Sequence, residues 1–131
     1  MKTFRFLDFK VYQDAKKFYK EILKVTKNFP KEFLFDLTSQ LRRSVLSVIL
    51  NIAEGSAKKS DKDFNRFVEN ALGSVNEVVA CLEVACENGL IAEATFAELF
   101  KEAEEIAKQL GGLSKKLKTT FVNCQLSTVN C

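Results

Sequence analysis

Five polar side chains recur at steps of four, three, four and three in the middle of the chain, at Gln40, Ser44, Ser47, Asn51 and Glu54. On a helix this spacing places them along one line, here called the polar seam. The residues around the seam are mostly apolar, and an unpaired polar group in such surroundings costs about 1–3 kcal/mol. We therefore expect the seam, with Arg43 beside it, to form a hydrogen-bond network at an interface. The alternative is that the seam is the solvent-exposed face of its helix.

Catalysis by the seam is disfavoured because the chain offers Glu54 and Asn51 no chemical partner. The chain has no histidine, which excludes His acid–base catalysis, His-activated nucleophiles and His metal ligands. Carboxylate metal sites in helical bundles use Glu-x-x-His pairs. The four cysteines form no C-x-x-C pair and have no zinc-site spacing. We expect no catalytic residue, no metal and no cofactor, and we predict that the protein is not an enzyme.

Basic residues form the second group with chemical potential. They cluster where one helix is expected to turn into the next, at Lys58, Lys59, Lys62 and Arg66, and we add Arg42 from the preceding helix. Such side chains can contact nucleic-acid phosphates without reading sequence. Asp61 and Asp63 interleave with the cluster and the formal net charge is only +3, so a solvated surface is the alternative. A second basic run lies on the first helix, at Lys16, Lys17, Lys20, Lys24, Lys27 and then Lys31.

The elements that must position these groups are helical throughout. Apolar residues recur at alternating steps of three and four in four segments, which predicts helices over about 8–28, 31–57, 61–88 and from about 92 onward. Thr38-Ser39 is a candidate break in the second helix, and Gly111-Gly112 is expected to interrupt the fourth. The stripe predicted for the first helix includes Tyr12, Ala15, Tyr19 and Ile22. Because the connections are short, we predict an all-α fold, an antiparallel up-down-up-down four-helix bundle.

The chain of 131 residues is expected to form one domain, 1–118, followed by a disordered tail, 119–131. The tail has no charged residue, and its Val122-Asn123-Cys124 repeats as Val129-Asn130-Cys131. No apolar run reaches the length of a membrane span and no signal peptide is recognised at the start, so we expect a cytoplasmic protein without membrane contact.

Self-association is expected from the second helix. From Val45 to Ala53 its residues are apolar on nearly every side, whereas each helix of an isolated four-helix bundle has one side in water. The surplus apolar surface needs a further partner, most simply a copy of the same chain.

A longer pattern runs through the same residues. Phe29-Pro30-x-Glu32 is followed by Leu37-x-x-Gln40-Leu41-x-Arg43-x-x-x-Ser47-x-x-x-Asn51-Ile52-Ala53-Glu54-Gly55, then by Phe64-x-x-Phe67 and Gly73-Ser74-x-x-Glu77. Over about residues 4–118 this resembles the bacterial 23S rRNA intervening-sequence protein family. The matched seam positions are Gln40, Arg43, Ser47, Asn51, Glu54 and Gly55. Asp36 stands where that family often has glycine before the leucine.

The resemblance implies a four-helix bundle, a homopentameric ring and no established biochemical activity. It also implies a likeness in fold to the accessory protein of diversity-generating retroelements, a basic pentamer that binds nucleic acid and a reverse transcriptase. We therefore predict a non-enzymatic oligomer that binds nucleic acid, RNA or DNA, through a basic rim. The alternative is a scaffold that binds a protein partner and has no affinity for nucleic acid.

Overall fold

Four α-helices make up the structure, a computed structural model that describes residues 3–127, with side chains as far as Thr119. They are α1 (Lys10–Thr26), α2 (Ser39–Ser56), α3 (Asp61–Glu87) and α4 (Glu93–Ser127). No strand occurs between residues 3 and 127, which confirms the predicted all-α class. Each helix packs against the helices before and after it in the chain, and α4 packs back against α1, so the four close into a bundle.

Cross-helix contacts give the helix directions. The start of α2 meets the later part of α3 through Gln40 and Glu77, and the end of α2 meets the start of α3 through Gly55 and Phe64. The end of α1 meets the start of α2 where the Arg42 Nε donates to the Thr26 hydroxyl at 2.8 Å. Ser114, late in α4, meets Asn65, early in α3, so all three pairs of consecutive helices run antiparallel.

The helix ends follow local chemistry. The Ser60 hydroxyl accepts a hydrogen bond from the Asp63 backbone N–H at 3.1 Å and caps α3, as residues of this type do. Gly89, with φ of 74°, follows the end of α3 in the left-handed conformation that glycine adopts most easily. Between α1 and α2, Lys31–Phe33 form a 3₁₀ turn and Leu34–Thr38 a π-helical turn, so α2 begins at the expected break.

The core lies along the predicted apolar stripes with two corrections. Leu34, which the spacing predicts at the start of the second stripe, is 43% exposed in the π-helical turn, and the other correction is in α1. Leu41, Ile52, Val68, Leu82 and Leu110 are fully buried, as expected from the spacing. In α1, however, Phe18 is buried whereas Tyr12 and Tyr19 are half-buried at the edge of the core. The tyrosines flank the core because each phenol hydroxyl stays near water while the ring packs against apolar neighbours.

The fourth helix is longer than expected. It passes through Gly111-Gly112 without a break, because Leu110, Ser114 and Leu117 around the glycines are buried against the bundle and offset their low helix propensity. A Cβ on either glycine would meet nothing within 4 Å, so no other backbone approaches there. The helix continues to Ser127, into the expected disordered tail, and the domain boundary at residue 118 stays a prediction. Cys131 lies outside the described residues.

None of the helices in residues 3–127 is long and apolar enough to cross a membrane.

Candidate nucleic-acid interface

The polar seam joins α2 to α3 within one chain. The Gln40 side-chain amide and the Ser44 hydroxyl both donate to the Glu77 carboxylate at 3.1 Å. One turn further along, the Ser47 and Ser74 hydroxyls form a 2.8 Å hydrogen bond. The Asn51 amide donates to the Ser47 carbonyl at 2.8 Å. Within one chain the seam is thus a hydrogen-bond network between two helices, and its role in assembly stays a prediction.

The charged residues at the seam, apart from Glu77 of α3, are different. Arg43 and Glu54 are exposed and form no hydrogen bond or ion pair with any described residue. Gly55, one residue further along, is buried at the point where α3 crosses α2. A Cβ on Gly55 would lie 2.7 Å from the Phe67 Cβ and 3.0 Å from Phe64 Cδ1, so only glycine lets the helices approach this closely.

The basic cluster lies directly beyond this crossing. Lys58, Lys59 and Lys62 are exposed at the turn between α2 and α3 and form no ion pair with any described residue. Lys58 Nζ lies over the Phe67 ring, 5.0 Å from its centroid, so the packed crossing also holds that lysine in place. Arg66 donates to the Asp63 carboxylate at 2.7 Å, and this hydrogen bond lowers the pKa of Asp63. Arg66 is therefore partly neutralised, and the three lysines supply most of the free positive charge.

Arg42 does not belong to this cluster in space. It lies sixteen residues before Lys58, which is about 24 Å along a helix. Its Nε donates a hydrogen bond to the buried Thr26 hydroxyl, and that hydroxyl donates a hydrogen bond to the Ile22 carbonyl at 2.6 Å. Arg42 thus packs near the C-terminal end of α1, where a cation is favoured by the helix dipole.

The end of α4 adds charge that sequence reasoning missed. The Ser114 hydroxyl donates to the buried Asn65 side chain at 2.6 Å, which fixes this part of α4 beside the start of α3. Lys115, Lys116 and Lys118 follow, and Lys118 pairs with Glu69 at 3.3 Å. From residue 108 onward the sequence holds four lysines and no acidic residue, and that bias is the signal from which this charge could have been predicted. We call Lys58, Lys59, Lys62, Lys115 and Lys116 the basic end.

Arg5 fastens the N-terminal segment to the same end of the bundle. Its guanidinium donates twice to the Ser56 carbonyl, at 2.8 Å and 3.0 Å. It also lies over the rings of Phe9 and Phe64, 5.9 Å and 5.4 Å from their centroids. These contacts satisfy one of the last carbonyls of α2 and give the neighbouring lysines a packed support.

Most of α3 and the first part of α4 carry the opposite charge. From Phe67 to Ala107 the sequence has nine acidic residues and one basic residue, Lys101. Within this stretch the pKa of Glu102 is raised, first by burial and then by the nearby Glu21 and Glu98 carboxylates. A polyanion is therefore attracted to one end of the molecule and repelled from the other.

No metal or thiol chemistry emerges from the described part of the chain. Residues 3–119 contain no group of three or more Cys, Asp or Glu side chains arranged to hold a metal ion. Cys81 and Cys86 are half-buried free thiols. The pKa of the Cys81 thiol is raised by burial and by Glu77, which makes it a poor nucleophile.

Comparison with known proteins gives one family and one kind of fold. The model of the 23S rRNA-intervening sequence protein family matches residues 7–112. A crystal structure from Bacteroides thetaiotaomicron, described as a protein with unknown function from the S23 ribosomal protein family, superposes with a TM-score of 0.73 and 28% identity. The superposition covers 80% of this chain and 98% of that one. None of the curated proteins compared with the chain matches it significantly.

Proposed function

The chain belongs to the 23S rRNA-intervening sequence protein family, and we propose that it is a non-enzymatic, cytoplasmic oligomer that binds nucleic acid through the basic end. The observation that carries the proposal is the set of exposed lysines without ion-pair partners at Lys58, Lys59 and Lys62, next to the lysines of α4. They extend from a packed base rather than from a loose loop, because Gly55, Phe64 and Arg5 fix the helices beneath them.

The contacts expected at this end are with phosphates. Lysine ammonium groups bind phosphate oxygens as point charges and carry no sequence information. The described basic end offers no set of Asn, Gln and Arg side chains arranged to read base edges. We therefore expect binding that depends strongly on salt and little on sequence. Structured RNA and duplex DNA are both candidate ligands.

Oligomerisation would multiply a weak contact. One chain presents only a few exposed lysines at this end, and each phosphate contact contributes little at physiological salt. In a closed ring every copy presents the same end, so the lysines repeat around one rim and bind one polyanion together. Exposed apolar side chains on α2, at Leu46 and Leu50, support self-association, and the ring of five is the arrangement that the family resemblance implies.

The test compares three proteins by fluorescence anisotropy with a labelled RNA hairpin and a labelled DNA duplex. The first is the unmodified chain, and the second carries Lys58→Glu, Lys59→Glu and Lys62→Glu. The matched control carries Lys17→Glu, Lys24→Glu and Lys31→Glu, which change the net charge equally but lie away from the basic end.

We expect the basic-end variant to bind both ligands at least tenfold more weakly, while the control is affected much less. The slope of log affinity against log salt should flatten in the basic-end variant only, by about 0.9 for each duplex phosphate that the variant no longer binds. Equal weakening in the two variants would show a non-specific effect of net charge. Absence of binding by the unmodified chain at low salt would contradict the proposal.

A protein-binding scaffold is the second candidate, and a specific observation favours it. Phe35, in the π-helical turn before α2, is 93% exposed and is followed by the exposed Leu46 and Leu50 on α2. Exposed aromatic side chains are common anchors of protein interfaces. An oligomer that binds neither RNA nor DNA at low salt would support the scaffold.

A further inference from the structure

An apolar groove with an acidic rim runs between α3 and α4 on the outside of the bundle. Its volume is about 370 Å³, and it is lined by Val79, Ala80, Phe100 and Ala107 among others. Phe100 is 40% exposed although its ring adjoins Phe96 in the same helix. Glu83 and Glu104 stand exposed on the two sides of the groove.

The opposite side of the bundle carries the complementary pattern. On α1, Lys16, Lys20 and Leu23 recur at steps of four and three, and on α2, Arg43, Leu46 and Leu50 recur at steps of three and four. All six are exposed, and Leu50 is 55% exposed. We call these six residues the basic face.

One contact shows that the α1 residues and the α2 residues of the basic face lie side by side. Arg42 hydrogen-bonds to Thr26 where α1 and α2 meet. Leu23 lies one turn before Thr26 and Leu46 one turn after Arg42, and the helices are antiparallel, so both leucines lie in the same direction from that hydrogen bond. The apolar centre of the basic face is therefore continuous across the two helices.

The two surfaces lie on opposite sides of the same molecule and at overlapping heights. In the cyclic order α1, α2, α3, α4, the α1–α2 side is opposite the α3–α4 side. Gln40 contacts Glu77, so the first turns of α2 are level with the part of α3 that lines the groove. A second copy can therefore place its basic face in the groove without a large shift along the bundle axis.

We propose that the α3–α4 groove of one copy binds the α1–α2 basic face of the next copy. Leucine side chains of one copy fill the groove beside Phe100 of the other, and lysines of the first copy meet the Glu83 and Glu104 rim. The contact is heterologous, because each copy uses two different surfaces, and it continues from copy to copy until a ring closes. The inference rests on the oligomer of the proposed function and names the surfaces that build it.

Another copy of the chain fits the basic face better than nucleic acid does. The centre of the face is three exposed leucines, which gain from burial in an apolar groove and gain little from a phosphate backbone. The groove itself is lined by two exposed carboxylates, Glu83 and Glu104, and by no lysine or arginine of the described residues, so a cationic neighbour complements its charge. The basic end stays free, because it is at the end of the bundle and not on either side.

Charge reversal on each surface tests the contact. One variant carries Lys16→Glu and Lys20→Glu, and a second carries Glu83→Lys and Glu104→Lys. A third combines all four changes in one chain. The control carries Lys17→Glu and Lys31→Glu, which change the net charge equally and do not belong to the basic face. Mass is measured by analytical ultracentrifugation, and helicity and melting by circular dichroism show that each variant folds.

We expect the unmodified chain and the control to sediment at a multiple of 14.8 kDa. The first and second variants should sediment at the monomer mass. This should hold even at a protein concentration tenfold above the one at which half of the unmodified assembly has dissociated. The four-fold variant should recover the mass of the unmodified protein, because its reversed face meets a reversed groove. An equimolar mixture of the first two variants should rise above the monomer mass without closing a ring of five, because matched contacts require the two variants to alternate.

The outcomes separate this inference from the proposed function. If the unmodified chain is an oligomer and the two folded variants keep its mass, this interface is wrong and the proposed oligomer stands. If the variants dissociate but the mixture and the four-fold variant stay monomeric, the pairing of these two surfaces is wrong. A monomeric unmodified chain would overturn both the oligomer and this interface. Loss of RNA binding at unchanged mass in the first variant would make the basic face a nucleic-acid surface instead.

Discussion

The two ends of α3 differ in both charge and packing. At the N-terminal end, Lys58 and Lys62 flank a crossing so close that Gly55 has no room for a Cβ. Toward the C-terminal end, Glu83 lines an open groove and Phe100 is left 40% exposed. The first region carries exposed lysines on a tightly packed crossing, and the second leaves apolar surface exposed.

The same contrast appears in the carboxylates. Hydrogen bonding from Arg66 lowers the pKa of Asp63 at the basic end, whereas burial and neighbouring acids raise the pKa of Glu102 in the acidic half. A net charge of +3 hides this separation. For a protein of this size, the arrangement of charge says more about its partners than the total does.

The packing contrast is tested most strongly at Gly55. We expect Gly55→Val to lower the free energy of unfolding by about 3 kcal/mol or more, because the Cβ alone would lie 2.7 Å from the Phe67 Cβ and α3 must move. Denaturant unfolding measures the change. Gly73→Ala is the control, since a Cβ there meets nothing within 4 Å and should raise stability by about 0.5–1 kcal/mol. Similar effects of the two changes would refute the close crossing.

A buried hydrogen bond holds the end of α4 at the basic end. Ser114→Ala leaves the Asn65 side-chain oxygen, which is buried, without its 2.6 Å partner. The expected loss is about 2 kcal/mol in the free energy of unfolding. Thr119→Ala serves as control, because that exposed hydroxyl donates only to the Lys115 carbonyl of its own helix. A loss no greater than that of the control would mean that α4 is not anchored there.

The turn at the acidic end depends on backbone conformation rather than packing. Gly89 has φ of 74° with open space around it, so Gly89→Ala should cost about 1 kcal/mol from the left-handed backbone alone. Thermal melting by circular dichroism measures this. Gly89→Asn should restore part of the loss, since asparagine tolerates this conformation better than alanine. Full stability of the alanine variant would contradict the assigned turn.

The smallest expected effect is the change of stability with pH, which comes from two carboxyl groups. The pKa of Glu102 is raised in the folded state. Its contribution to the free energy of unfolding is therefore fully present below the ordinary glutamate pKa and is lost as the pH rises to the raised value. Asp63 has a lowered pKa, so its contribution is present above the ordinary aspartate value and is lost as pH falls through the lowered value. Carboxyl NMR titration should show Asp63 titrating below an ordinary aspartate and Glu102 above an ordinary glutamate. Ordinary titration of both groups would contradict the charge separation.

Periodicity was sufficient to predict the helices and their order. Apolar spacing of three and four placed four stripes, and Pro30, Ser60 and Gly89 marked where helices begin and end. The break before α2 was also visible, at Thr38-Ser39. The pattern misassigned Phe18 because a buried helix stripe is wide enough to admit either Phe18 or Tyr19, and spacing alone does not decide between them.

The sites were harder to predict because they depend on which helix faces which. The polar seam was recognised from its spacing, but its partners Ser74 and Glu77 follow from the packing of α2 on α3. Arg42 is close in sequence to the seam and to the basic cluster, yet in the fold it packs at Thr26. Conversely, Lys115 is distant in sequence and joins the basic end only because Ser114 packs on Asn65. Side-by-side helices bring together residues that no short motif contains.

Cross-linking of bound nucleic acid to the assembled protein tests the central claim most directly. A photoreactive RNA hairpin is bound at low salt and irradiated, and the modified peptides are identified by mass spectrometry. We expect cross-links in two places, between Lys58 and Arg66 and between Lys115 and Lys118, and none between Glu83 and Glu105. Cross-links concentrated in the acidic stretch of α3 and α4, or on α1 alone, would contradict a nucleic-acid interface at the basic end.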